Sequence, residues 1–305
     1  MAQPGGLITM GNFPSYTVKR LVTDTVGDYK MPALQFMQIF KEESSDRAFE
    51  MDNLVDNFTV AVTKPQGQAT RFVGASQRYS TFYNHQTFAL GFEISMEAKQ
   101  DQQDVQLTQR YTKQLINAAR RNQEYRGANV LNRGYDTNYV GGDGKPLFSL
   151  THPTAIGNQA NTLTNQAALS EASLEDLVNL INNFKDYNGN PADLYSTKLV
   201  VPVDLQFEAE RLVNSIARPG TADNDVNALR SLGKIPEVVL NKYLSSNNRF
   251  FIITDAEDGL KHFNRMNPTL SQDNAFDTEV DKVKIVFRDS FGWSQWLGAA
   301  SSGNF

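Results

Sequence analysis

The stretch GGDGKPLFSLTHP, residues 141–153, follows the longest helical pattern of the chain, and its interpretation decides the fold. It contains three glycines, two prolines, a lysine and one of the three histidines. Glycines beside a lysine are typical of a phosphate loop, and a histidine can bind a metal. A rigid turn that returns the chain to a core uses the same glycines and prolines. Three interpretations therefore compete: a phosphate loop, a metal site and a structural turn.

The first two interpretations fail on spacing. A Walker phosphate loop needs a glycine where Tyr139 stands, and a serine or threonine where Pro146 stands. An EF-hand loop beginning at Asp136 has Val140 at position five and Leu147 at position twelve, so its bidentate carboxylate is missing. We therefore expect neither a nucleotide nor calcium at this loop.

Other catalytic patterns are also absent from the sequence. His85, His152 and His262 lie far apart, and none belongs to an HExxH pair. No GxSxG nucleophile elbow occurs. Glu208 and Glu210 lie in a predicted helix without an evident partner. A soluble α+β enzyme is thus a rival without a supporting motif, and we expect no catalytic, cofactor-binding or metal-binding residue.

The composition is that of a folded, soluble protein. The chain has 305 residues, 40% of them hydrophobic and 21% charged, and no apolar run approaches the ~20 residues that span a membrane. We expect no secretory signal, because the N-terminus lacks a basic segment followed by an apolar one. The absence of cysteine excludes disulfides and fits a reducing cytosol. The net charge of −5 argues against tight binding of nucleic acid by the whole surface.

The N-terminal third predicts two segments with little core of their own. Residues 1–45 form an arm with a short helix at 33–43, where apolar residues recur every three positions. Residues 57–63 alternate like a strand, 64–68 contain proline and glycine, and 78–95 are rich in aromatic and β-branched residues. This pattern predicts a long, projecting β-hairpin or loop excursion.

The middle of the chain predicts one very long helix over residues 101–133. An apolar stripe at helical spacing is formed by Leu107, Tyr111, Leu115, Ala118 and Tyr125. The helix is also basic, with Arg110, Lys113, Arg120, Arg121, Arg126 and Arg133. Two interpretations of this charge remain open: a solvated helix face, or a face directed towards a polyanion.

The remaining elements predict an irregular mixture of helices and strands. Ser173 begins a helix, and Asp176 completes a capping box with it. Further elements are a strand at 197–202, a helix from Pro202 to about Ala217, and strands at 250–254 and 283–287. The order lacks the strand–helix alternation of a doubly wound sheet, so the fold class is α+β.

GGDGKPLFSLTHP resembles the signature loop of tailed-phage major capsid proteins of the phage Mu-like head-subunit group. Four other segments resemble parts of this family in the same order, so the resemblance covers about residues 35–298. They are LGFEISMEAKQDQQ (90–103), KLVVPVDLQFEAERLVNS (198–215), RPGTADNDVNAL (218–229) and FDTEVDKVKIVFRDSFGWSQW (276–296). Five matches in order are much more specific than one short motif.

The resemblance implies the Hong Kong 97-type capsid fold. That fold has an N-terminal arm, an extended E-loop, a P-domain with a long spine helix, and an A-domain. Transferred to this chain, the parts are an arm at 1–45, an E-loop hairpin at 46–98, a P-domain at 99–150 and 265–305 with the spine helix 101–133, and an A-domain at 151–264. The arm, hairpin and long helix predicted from the residues agree with these parts.

The loop and the hairpin tip are predicted to have structural or assembly roles. Glycines 141, 142 and 144 permit positive φ angles, and Pro146 and Pro153 fix others. Leu147 and Phe148 are predicted to be buried, and His152 to form a hydrogen bond. The predicted structural and assembly residues are Pro65, Gly67, Gly144, Pro146, Leu147, Phe148, His152, Trp293 and Trp296.

The resemblance implies the major head protein of a tailed phage. We expect it to self-assemble as hexamers and pentamers into an icosahedral shell around double-stranded DNA, which it contacts weakly and without sequence specificity. Expected partners are portal and scaffolding proteins and a cement or decoration protein, with no cofactor and no membrane. The expected location is the virion, after assembly in the host cytoplasm. The alternative within the fold is the shell protein of an encapsulin-like nanocompartment.

Overall fold

The computed structural model describes residues 34–55, 58, 60–74, 77–95, 105–217, 226–275, 277 and 280–302. Its longest element is helix α1, Val105–Asn132, with 28 residues. At 1.5 Å per residue, this helix is about 42 Å long. The long helix predicted for residues 101–133 is therefore confirmed, although residues 101–104 lie outside the described part. Most of the predicted arm, residues 1–33, also lies outside it.

Helix α1 packs on a four-stranded sheet whose strand order is β1–β10–β11–β4. The strands are β1 (Lys41–Ser44), β4 (Gln86–Ser95), β10 (Leu260–Ala275) and β11 (Val280–Trp293). Strands β10 and β11 form a long antiparallel hairpin, and β1 runs parallel to β10. Apolar side chains of α1 and β11 fill the space between helix and sheet: Leu115, Ile116, Ala119, Val283, Ile285 and Phe287.

Strands β5 (His152–Thr154) and β6 (Gly157–Gln159) form a short antiparallel hairpin. A second four-stranded sheet has the order β12–β9–β7–β8. Its strands are β7 (Ser196–Val201), β8 (Glu237–Leu240), β9 (Phe250–Thr254) and β12 (Ala299–Ser302). Its main core also includes residues of helices α2 (Glu171–Asn182), α3 (Gln206–Asn214) and α4 (Ala228–Ser231). The predicted strands at 197–202 and 250–254 correspond to β7 and β9. Because β12 pairs with β9, the end of the chain closes a sheet otherwise made by residues 196–254.

The predicted hairpin exists, but its paired strands differ from the prediction. Strand β2 (Phe49–Val55) pairs antiparallel with β3 (Gln77–Asn84), and β4 follows directly. The strand predicted at 57–63 is wrong, since residues 58 and 60–63 have no regular secondary structure and are exposed. Their alternating apolar side chains face solvent, so no buried layer fixes a strand there. We call the described residues between 58 and 74 the limb.

The helix predicted at 33–43 is also wrong. A single 3-10 turn, Phe36–Gln38, is followed by strand β1. Burial selects Phe36, Ile39 and Phe40, whereas Met37 on the predicted apolar stripe is 48% exposed. The backbone of residues 41–44 pairs with β10, and this pairing replaces helical hydrogen bonds.

Two other helix boundaries differ from the sequence prediction. The N-cap of α2 is Ser170, which exchanges capping-box hydrogen bonds with Ser173, so the box predicted at Ser173 and Asp176 is wrong. The helix predicted to run from Pro202 to about residue 217 is a 3-10 turn, Val203–Leu205, followed by α3. Helix α3 ends at Asn214, and Ser215 already has an extended backbone.

Candidate functional site

The signature loop, residues 141–153, returns the chain from α1 to the core. Leu147 and Phe148 are 0% and 1% exposed, which confirms their predicted burial. The backbone N–H of Phe148 donates to the carbonyl of Gly134, 2.7 Å away, and its ring stacks on Phe251 with centroids 5.4 Å apart. A Cβ on Gly134 would overlap the Phe148 ring. Glycine at the end of α1 is therefore needed for the ring to enter the core.

Two of the loop glycines are required by close packing and not by backbone conformation. A Cβ on Gly141 would lie 2.7 Å from Nε1 of Trp293, and one on Gly142 would lie 2.7 Å from Cδ2 of Tyr79 in β3. Among these three glycines only Gly144 has a positive φ, +72°. The positive φ that glycine permits is therefore used at Gly144 and not at Gly141 or Gly142. The loop instead brings β3 and the end of β11 into contact with its backbone.

His152 is the centre of a buried polar network. Its side chain is completely buried, and its Nδ1 lies 2.6 Å from Oδ2 of Asp143, itself 3% exposed. The Nε2 atom lies 3.2 Å from Oδ1 of Asn161. The predicted hydrogen bond of His152 is therefore confirmed. Because these three side chains bind one another away from solvent, they can fix the chain's path but are not placed to react with a substrate.

Asn161 is a structural residue that the sequence prediction missed. Its Nδ2 donates to the carbonyl oxygens of Leu147, Trp296 and Ala299, at 2.7, 3.2 and 3.1 Å. One side chain thereby connects the signature loop to the last turn of the chain. Asn161 stands in the polar run NQANTLTNQ, residues 158–166, where no spacing distinguishes it from its neighbours.

The two tryptophans predicted to be structural lie on either side of the signature loop. Trp293 contacts Gly141, as described above. Trp296 is 4% exposed, and its indole lies against the rings of His152 and Phe184. The structure thus brings both tryptophans to the loop, and their role in assembly stays a prediction.

The base of the limb is attached to the body by a buried lysine. Lys261 is 4% exposed, and its Nζ lies 2.6 Å from Asp52 of β2 and 2.8 Å from Asp258. Burial alone would lower the pKa of Lys261, but the two aspartates outweigh it and the pKa is raised. The hydroxyl of Ser294 donates to the Asp52 carboxylate. The hydroxyl of Tyr83 in β3 lies 2.6 Å from the Ser294 oxygen. Both strands of the base are therefore held by hydrogen bonds to the body.

The limb itself is open to solvent. Phe58, Val60, Val62 and Phe72 are 67%, 75%, 60% and 92% exposed. Gly67 at the tip has a φ of +82°, next to a turn closed by a hydrogen bond from Gln68 N to Pro65 O. The predicted tip residues, Pro65 and Gly67, thus lie in an exposed turn of the limb.

The basic residues of α1 divide into two groups. Arg110, Lys113, Arg121 and Arg133 are exposed. Arg126 instead pairs with Asp289 of β11, which also accepts a hydrogen bond from Gln123. Burial alone would raise the pKa of Asp289, but His262 and Arg126 outweigh it and hold that pKa below its usual value. The exposed cations are compatible with both open interpretations, a solvated face and a face directed towards a polyanion.

Within the part of the chain that the structure describes, no helix is long and apolar enough to cross a membrane. Among the same residues, no three histidine, aspartate or glutamate side chains are grouped as a metal site.

Comparison with known proteins gives a family and a fold. The family model described as "Phage capsid protein" matches residues 78–302. That segment contains most of β3, and all of α1, the signature loop and the second sheet. Among curated proteins, none matches the sequence.

Solved structures similar to this chain come from phages and from a virus-like particle. A structure from Mycobacterium phage Che8 is 15% identical, with a TM-score of 0.54 and coverage of 93% of this chain and 96% of that chain. The capsid of Cyanophage P-SCSP1u is 12% identical, with a TM-score of 0.55 and coverage of 96% and 93%. A virus-like particle from Pyrococcus furiosus is 9% identical, with a TM-score of 0.50 and coverage of 92% and 94%. At these identities the matches show the fold, and they confirm the predicted Hong Kong 97-type architecture.

Proposed function

This chain belongs to the phage capsid protein family, and on that premise we propose that its copies form hexamers and pentamers that close into an icosahedral shell. As a major capsid protein of a phage, it assembles with copies of itself into the capsid of the virion. We also propose that the phage is a tailed phage. The proposed domains are an arm at 1–45, an E-loop at 46–98, a P-domain at 99–150 and 265–305, and an A-domain at 151–264.

The limb is the observation that carries the shell proposal. Its large apolar side chains, Phe58, Val60, Val62 and Phe72, are all more than half exposed. Contiguous exposed apolar surface in a folded protein marks an interaction site. A second copy is the partner that a capsid subunit always has, so the limb packs on a neighbouring subunit in the shell.

The shell encloses double-stranded DNA, which the subunit contacts weakly and without sequence specificity. The net charge of −5 supports this proposal, because a strongly basic lining would bind phosphates at every subunit and resist release of the DNA. The exposed cations of α1 are few enough for weak contact. Portal and scaffolding proteins, and a cement or decoration protein, are proposed partners of the shell, which assembles in the host cytoplasm.

The protein is structural, and we infer that it has no catalytic activity. His152, the histidine of the signature loop, is buried and paired with Asp143. A nanocompartment shell of the same fold is less supported, because the matching family model is that of phage capsid proteins. The contents of purified particles separate the two: packaged DNA supports the phage head, and an enzyme cargo supports the nanocompartment.

Electron microscopy and sedimentation velocity of the purified protein test the proposed function. We expect closed shells, and a monomer at every concentration and condition would overturn the proposal. Deleting residues 64–68 removes the limb tip while leaving β2 and β3 intact. The variant should fold with unchanged circular dichroism but assemble poorly; normal shells of unchanged stability would show that the limb tip makes no contact between subunits.

A further inference from the structure

A cavity of about 360 Å³ opens between α1, the 3-10 turn at 36–38 and the first half of β10. We call it the α1–β10 cavity. Its wall is mainly apolar and is formed by Leu34, Phe36, Met37, Ile116 and Pro268, with Glu42 and His262 also lining it. A cavity of roughly 150 Å³ already holds a benzene molecule. The α1–β10 cavity is therefore large enough for an aromatic side chain together with part of its backbone.

A buried ring nitrogen in the cavity lacks a partner. His262 is 1% exposed, and its Nε2 lies 3.3 Å from Oδ2 of Asp289. Its Nδ1 is buried and has no hydrogen-bond partner among the described residues. The nearest carboxylate oxygen, Oε1 of Glu42, is 4.0 Å away, beyond hydrogen-bond range. A buried polar atom without a hydrogen-bond partner is unfavourable, so this site favours an occupant that brings a polar group.

The limb has the groups that this cavity lacks. Phe72 is 92% exposed and lies in residues 68–74, which have no regular secondary structure, so its aromatic ring is open to a partner. Within the described residues of the limb, a single backbone–backbone hydrogen bond is formed, from Gln68 N to Pro65 O. The backbone N–H and C=O groups beside Phe72 are thus available to a receptor.

Taking these observations together, we propose that Phe72 of one subunit inserts into the α1–β10 cavity of a second copy of this chain. The proposal rests on the proposed function and names the site at which the limb binds its neighbour. The ring fills the apolar part of the cavity. Nδ1 of His262 is closed to solvent in the isolated chain, so a small shift of the imidazole accompanies insertion and lets a backbone N–H of the inserted segment donate to it. In the isolated chain Phe72 is exposed, so the occupant comes from a neighbouring subunit and not from the chain's own limb.

Charge supports the same pairing. The limb sequence from Phe58 to Gly74 contains Lys64 and Arg71 and no carboxylate. Glu42 lines the cavity, and its side chain is 43% exposed. With Phe72 inserted, we expect the adjacent Arg71 to lie near the Glu42 carboxylate. Arg120 also lines the cavity, but its charge acts on the buried carboxylate of Glu124.

Disulfide cross-linking tests the contact directly, because the chain has no native cysteine. The test variant carries Phe72→Cys and Met37→Cys. The matched control carries Phe72→Cys and Leu232→Cys, since Leu232, the residue after α4, is 67% exposed. Assembled shells are oxidised and analysed by non-reducing electrophoresis, with each single-cysteine variant alongside. We expect covalent oligomers in the test variant and not in the control. Shells that form without this cross-link overturn the inference and leave the proposed function intact, whereas failure of the wild-type chain to form shells overturns the proposed function itself.

If the cysteine variants do not assemble, an exchange of the charges of Arg71 and Glu42 tests the same contact. Arg71→Glu should reduce the yield of shells at least several-fold, because it places two carboxylates together at the cavity. Glu42→Arg in the same chain should restore most of that yield. In the control, Glu42→Arg should not restore the yield of shells that Lys64→Glu forms. An equal loss in Arg71→Glu with and without Glu42→Arg would overturn the inference.

Discussion

The imidazole of His152 lies flat on the indole of Trp296, with ring centroids 4.5 Å apart and planes inclined by 5°. These residues are 144 positions apart in the sequence, and both are buried. The contact joins the end of the signature loop to the last turn of the chain. Asn161 strengthens the same junction through its three carbonyl contacts. The signature loop therefore holds together parts of the chain that are distant in sequence.

Phe148→Ala should destabilise the subunit by about 3–5 kcal/mol, the usual cost of removing a fully buried aromatic ring. The reason is the cavity left between Gly134 and Phe251, which the backbone around the loop cannot close. Urea unfolding of dissociated subunits measures the change. Leu150→Ala is the control, since this apolar side chain of the same loop is 44% exposed. A loss below about 1 kcal/mol for Phe148→Ala would contradict the assigned burial.

Loss of His152 should be costly because it leaves the carboxylate of Asp143 buried beside an empty space. Leaving a buried acceptor without one of its hydrogen bonds costs about 1–3 kcal/mol. Adding Asp143→Ala to His152→Ala should therefore cost much less than the sum of the single variants. A double-mutant cycle by urea unfolding provides the coupling energy, and strictly additive effects would show that the two side chains do not act as a pair.

Gly142→Ala should disturb the packing of the signature loop against β3. The added Cβ would lie 2.7 Å from the Tyr79 ring, so β3 or the loop has to shift. Overpacking of this kind costs about 1–3 kcal/mol. Gly74→Ala is the control for subunit stability, since a Cβ there meets nothing within 4 Å. Unfolding of both variants measures the difference, and equal stability would refute the proposed steric requirement. We also expect Gly142→Ala to reduce the yield of shells.

Acid should weaken the subunit through Asp289, whose pKa lies below its usual value in the folded state. A carboxyl with a lowered folded pKa contributes stability above its unfolded pKa of about 3.9, and this contribution is lost as the pH falls through the folded pKa. Asp289→Asn should therefore destabilise the subunit at neutral pH and flatten the acid limb of its stability curve. Unfolding free energies of both proteins between pH 7 and the acid transition test this, and parallel curves would contradict it.

Local chemistry made much of the architecture predictable from the sequence. The absence of glycine and proline between residues 101 and 126 allowed one uninterrupted helix, and α1 is that helix. FFIIT at 250–254 is a short run of apolar and β-branched residues bounded by polar ones, and it is a fully buried strand. Leu147 and Phe148 were expected in the core because two adjacent apolar residues between prolines have to be buried away from solvent. In each case neighbouring residues carry the whole signal.

The tertiary structure decided the features that depend on distant partners. Burial against β10 replaced the predicted helix at 33–43 by a 3-10 turn and a strand. The close approach of Tyr79 and Trp293, and not backbone conformation, explains the glycines at 142 and 141. Asn161 is important because three carbonyl oxygens from separate segments converge on its amide. The sequence alone determined the elements whose signal is local, such as α1 and β9, and the family that the segments resemble. Which side chains meet depends on packing between residues far apart in the chain, and no local pattern contains that information.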